Sequence, residues 1–131
     1  MDCKLYTIGY IAFEREKIIS IINELDIDCL IDVRSVPMSS YAPQYNKPVF
    51  SEFLRSNQVY YRNYKEFGAR QDDIKYYNAD GYLDFDRYIT SRQFLEGMKR
   101  IKNGIDQNFK FVFITLERKS VNFYWLFEPL G

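Results

Sequence analysis

The chain of 131 residues has the length of one domain, and its 47% hydrophobic and 18% aromatic content is enough to bury a core. Lys plus Arg equals Asp plus Glu at 18 each, so no global field draws the chain to nucleic acid or to an anionic membrane. Histidine is absent and cysteine occurs only at Cys3 and Cys29, which leaves general acid or base work to a shifted carboxylate, tyrosine or lysine and argues against a closed zinc site with its four Cys or His ligands.

Lys4-Leu5-Tyr6-Thr7-Ile8-Gly9-Tyr10 is rich in β formers and reads as a first strand ending at a glycine that permits a close turn. From about Phe13 to Leu25 the period becomes helical, with Ile18, Ile21, Ile22 and Leu25 on one face. A second strand, Cys29 to Arg34, completes a βαβ unit, which means parallel strands and a right-handed crossover. Pro37 stops it. A polar loop leads to Pro48, tolerated in the first turn of a helix whose apolar face is Val49, Phe50, Phe53 and Leu54. The third strand, Val59 to Tyr64, alternates too weakly to fix its buried side, and Gly68 closes it.

Residues 71–90 form the longest connection, and such segments are usually functional lids or are pinned by aromatics. Ser91 caps a last long helix with Phe94, Leu95, Met98, Ile101 and Ile105 on one face. The final strand runs from Phe109 to Leu116 and ends in Glu117. The expected fold is α/β, a three-layer sandwich around a mainly parallel sheet of about four strands, in a single domain spanning 1–131. No run approaches ~18 apolar residues, and Met1-Asp2-Cys3-Lys4 lacks the pattern of a signal peptide, so the cytosol is the expected location, with both cysteines reduced and buried.

The most informative stretch is Ile31-Asp32-Val33-Arg34-Ser35-Val36-Pro37, where two opposite charges interrupt an apolar strand just before a proline. An unpaired charge in a strand interior costs several kcal/mol, so Asp32 and Arg34 belong at the strand's carboxyl end, and alternate parity turns both to one face. Ligands of open parallel sheets bind beyond those ends. The candidate ligand-binding residues are therefore Gly9, Tyr10, Asp32, Arg34, Ser39, Gly68 and Glu117, around a small polar or anionic molecule that Arg34 could grip through its planar fork. An ion pair that is merely architectural accounts for Asp32 and Arg34 equally well. No glycine-rich fingerprint follows Gly9, so no dinucleotide or other cofactor is expected.

In their order and spacing, Tyr6-Thr7-Ile8-Gly9-Tyr10, the Asp32 to Pro37 stretch with Ser39, Pro43-Gln44-Tyr45-Asn46-Lys47, Phe67-Gly68-Ala69-Arg70 and Tyr82-Leu83-Asp84-Phe85 resemble the bacterial domain of unknown function 488 family over nearly the whole chain. The resemblance implies an α/β sandwich with a polar strand-end site, and brings no established reaction. It also implies a Cys-x-Glu stretch after the last strand, then a Cys-His-Arg triplet opening a terminal helix. Here those positions hold Thr115-Leu116-Glu117 and Phe123-Tyr124-Trp125, so the acid persists while the cysteines, histidine and arginine are gone. The tail 118–131 is thus atypical, either because this member is remodelled into a thiol-free binding fold or because its reading frame was lost just after the last strand; the second is the expectation, and the site is then catalytically incomplete. The alternatives are a single-stranded nucleic-acid binder using the Tyr- and Arg-rich middle segment, and an oligomerising or partner-binding module using the aromatic tail.

Overall fold

A computed structural model describes residues 4–9, 14–34, 37–38, 43–68 and 70–115. Four strands, β1 (Leu5–Gly9), β2 (Cys29–Asp32), β3 (Tyr60–Asn63) and β4 (Phe111–Thr115), form one sheet in the order β1-β4-β2-β3. All three pairings are parallel. Parallel neighbours need crossover connections, and these are supplied by α1 (Arg15–Leu25), α2 (Lys47–Ser56) and the pair α3 (Phe85–Tyr88) and α4 (Arg92–Asp106). The α/β architecture and the four strands agree with the sequence expectation.

Alternation along the strands sorts the core into two layers. Leu30, Val112 and Ile114 pack on one face with Ile18 and Ile22 of α1 and Phe50 and Leu54 of α2. Cys29, Ile31, Val33, Phe111 and Phe113 pack on the other with Phe94 and Ile101 of α4, Tyr88 and Phe67. A sheet covered on both faces explains why β2 is buried at every position. Because the chain leaves β2 for the first layer and β3 for the second, the strand connections diverge between β2 and β3. That divergence makes a topological switch point, the place in open parallel sheets where ligands bind.

Several sequence expectations need correction. Val49 and Leu95 are 51% and 53% exposed, since each is turned about 100° from the buried neighbour, Phe50 or Phe94, that sets its helix stripe. The buried stripe of α4 is Phe94, Gly97 and Ile101, and a Cβ on Gly97 would stand 3.0 Å from the Phe67 ring. β4 starts at Phe111 because the preceding residues leave the helix, with Asn108 at φ 70° and the Phe109 amide donating to the Gly104 carbonyl at 3.0 Å. The Ser91 cap is as expected, its hydroxyl accepting from the Phe94 amide at 3.3 Å.

Residues 71–90 are held by aromatics. The Tyr77 hydroxyl donates to the Gln71 carbonyl at 2.9 Å and accepts from its amide at 2.8 Å, Tyr77 and Leu83 form an antiparallel bridge, and Tyr76 meets Tyr88 edge-on at 5.4 Å. Among the described residues, no helix is long and apolar enough to cross a membrane.

Candidate functional site

At the carboxyl end of β2 the Asp32 carboxylate gathers its donors. The Arg34 amide donates to Oδ1 at 3.1 Å, which ends the strand at Asp32 two residues earlier than the apolar pattern suggests. The Arg34 guanidinium then folds back, Nε donating to Oδ1 at 2.8 Å and to Oδ2 at 3.0 Å, and Nη2 to Oδ2 at 2.5 Å. Nη2 also donates to the Tyr45 carbonyl at 2.7 Å, and the Tyr61 hydroxyl to Asp32 Oδ2 at 2.6 Å. Asp32 and Arg34 are 0% and 2% exposed, so their charges balance each other away from water.

The surroundings hold this arrangement in place. Tyr45 lies on a short 3-10 turn, Pro43–Tyr45, just before α2. Phe50, one turn into α2, meets the Tyr45 ring edge-on at 5.1 Å and the Tyr61 ring at 6.1 Å. Across the switch point the Asn63 amide donates to the carbonyls of Asp32, at 2.9 Å, and Arg34, at 3.0 Å, so one side chain bridges the gap between β2 and β3. Burial, and then the Asp32 charge, push the Tyr61 phenol well above its ordinary range. It therefore stays protonated and remains a donor to the carboxylate.

The sequence-derived candidates are distributed as follows. Asp32 and Arg34 share one face, as their parity requires, and they bond directly to each other. Gly9 closes β1 opposite Thr115, one residue beyond the level that Ile8, Ile114, Asp32 and Asn63 share across the sheet, and two strand spacings, about 10 Å, from β2. Gly68 is not brought to this cluster. It follows Phe67 in the layer of α4, and its carbonyl accepts from Gln71 Nε2 at 3.0 Å. Tyr10, Ser39 and Glu117 lie outside the described residues.

Sequence reasoning missed the parts that Tyr45, Tyr61 and Asn63 play. The spacing Tyr61-x-Asn63 on a strand beside β2 was the available signal. Among the described residues no group of three or more His, Cys, Asp or Glu side chains is placed to hold a metal ion.

No curated protein and no solved structure matches the chain at a significant level. The family described as Domain of unknown function DUF488 matches residues 14–122. The match spans β2, the Asp32 and Arg34 cluster and every later described element, well over half the sequence, and on that basis the chain belongs to the DUF488 family.

Proposed function

We propose that the chain is a cytosolic binding protein that receives a small polar molecule with at most one negative charge at the carboxyl ends of its strands. The observation that carries this reading is the Asp32, Arg34 and Tyr61 network at the β2–β3 switch point. Stability alone does not call for it, since an apolar trio of similar volume holds a core as well or better, and a charged cluster at a topological switch point is a recognised mark of a site. In this reading Asp32 and Arg34 are positioning residues, because the fork of Arg34 is spent on Asp32 and the Tyr45 carbonyl. Ligand contact falls to Tyr10, Ser39 and Glu117, with Gly9 about 10 Å from β2 and beyond a small ligand's reach, and a pair that is already neutral disfavours multiply charged anions.

We assign binding without catalysis by the Cys29 thiol. Histidine is absent, and burial pushes the Cys29 thiol up to about 12, so it stays protonated at neutral pH. The family match ends at residue 122, just before Phe123-Tyr124-Trp125, which stand where the resemblance would place Cys-His-Arg. A nucleic-acid reading draws less support, because Tyr45, Tyr61, Tyr64, Tyr76 and Tyr77 are engaged by the protein's own carbonyls, carboxylate and rings.

The test is thermal unfolding of the full chain with lactate or glycolate, both monoanions, against sodium chloride at equal ionic strength. A ligand held by the native state raises the midpoint. The rise is expected in the wild type and is lost in Arg34→Lys, which keeps the charge but not the fork, and in the gentler Ser39→Ala, both verified as folded by circular dichroism. No rise with either anion, or equal rises in all three proteins, would overturn the reading.

A further inference from the structure

The face of the sheet opposite the Asp32 cluster carries an open groove of about 330 Å³. Cys29 and Ile31 of β2 form its floor, Tyr60, Arg62 and Tyr64 come from the β3 side, and Phe109 and Phe111 close it near Gly104 of α4. The glycine brings that wall inward, because a Cβ at 104 would stand 2.5 Å from the Phe111 ring. Its volume lies at the lower end of the ~300–1,000 Å³ typical of small-molecule sites.

The walls are aromatic, and the charged side chain lining the groove is Arg62. Tyr60 is 64% and Phe109 38% exposed, while Tyr64 is held by stacking on Phe67 at 5.4 Å. Arg62 gives one Nη1 hydrogen bond to the Tyr61 carbonyl at 3.1 Å, and among the described residues no carboxylate lies within ion-pair distance of it. Its charge reaches the groove floor, where it pulls against the burial that raises the Cys29 thiol. Arg100 acts in the same sense on the Tyr64 hydroxyl. Two acids act in the opposite sense, Asp28 on the Cys29 thiol and Glu66 on the Tyr64 hydroxyl, and the Asp28 carboxylate accepts from the Lys110 amide at 2.8 Å.

We propose that this groove is a binding site for a one- or two-ring aromatic carboxylate, with Arg62 pairing the carboxylate and Tyr60, Tyr64 and Phe109 holding the ring. A planar guanidinium matches a carboxylate bidentately, and ring edges and faces on several sides favour a flat π-system over an aliphatic chain. The site is separate from the strand-end rim, because Tyr60 and Arg62 alternate with Tyr61 and so stand on the other face of β3.

Titration of the full-length, isotope-labelled chain with 2-naphthoate, followed by amide chemical shifts, tests this. Shifts are expected to collect at Cys29, Tyr60, Arg62, Gly104 and Phe109, with 2-naphthamide roughly tenfold weaker because it lacks the charge. Arg62→Gln should bring naphthoate down to the affinity of the amide. Arg55→Gln, on the exposed outside of α2, makes the same charge change and should leave the affinity unaltered. Absence of binding, equal affinity for acid and amide, or an unaffected Arg62→Gln would each overturn the proposal and none of these bears on the rim, whereas shifts gathered at Asp32 and Asn63 would overturn it by placing the carboxylate at the rim instead.

Discussion

Asp32 and Arg34 are strong together and a liability apart. Desolvating two charges offsets most of their attraction, so the pair adds little net stability, yet removing one partner strands the other in the core at a cost of about 3–5 kcal/mol. Asp32→Ala and Arg34→Ala should each lose that much, whereas Asp32→Leu combined with Arg34→Met should lose less than either single change. Urea denaturation of the set measures the coupling, and single losses that simply add would show that the two side chains do not act as one unit. Their parity was legible in the sequence, because Val33 between them fixes both to one face. The partners were not. The Tyr45 carbonyl, eleven residues on, comes within 2.7 Å of Arg34, and Asn63 reaches across a strand pairing that local pattern cannot order.

Elements were readable wherever one stripe or one alternation dominates. β2, α2 and α4 emerge near their predicted places because Cys29 to Ile31, Phe50 with Leu54, and Phe94 with Ile101 are apolar at the period their structure needs. The strand order was not readable, since the insertion of β4 between β1 and β2 is decided by long-range packing of Phe111 and Phe113 under α4. Helical glycines conceal a packing role in the same way. Gly97 looks like a weak helix position, where alanine would gain up to about 1 kcal/mol. Its Cβ, however, would press the Phe67 ring at 3.0 Å, and that ring is confined by Tyr64, Phe94 and Phe113. Gly97→Ala should therefore cost a net ~1–3 kcal/mol from overpacking, with part of the loss recovered when Phe67→Leu is added. A stabilised Gly97→Ala in urea would mean that α4 rides away from the sheet freely.

Across the whole molecule, the protonated form of several weak acids is written into the packing. Cys29, Tyr61, Tyr64 and Tyr88 sit in different parts of the sheet and its layers, and in all four burial is the leading cause of a raised pKa. Each is a neutral acid that the native state keeps protonated more tightly than the unfolded chain does. Below the unfolded values of 9.0 for the thiol and 10.0 for the phenols, both states hold the proton and the stabilisation is complete. Above them the unfolded chain releases protons that the fold retains, so stability falls with rising pH, over the window from 9.0 to about 12 for Cys29 and from 10.0 upward for the tyrosines. The urea midpoint should hold steady to about pH 8.5 and then drop steeply by about pH 10.5. Cys29→Ala should flatten the first part of that decline and Tyr61→Phe the second, even though Tyr61→Phe starts lower for lack of its bond to Asp32. Arg62→Gln, exposed on the far side of the same strand, should leave the curve nearly parallel to wild type. A midpoint constant from about pH 8 to pH 10.5 would show that these groups ionise in place and that burial does not govern them.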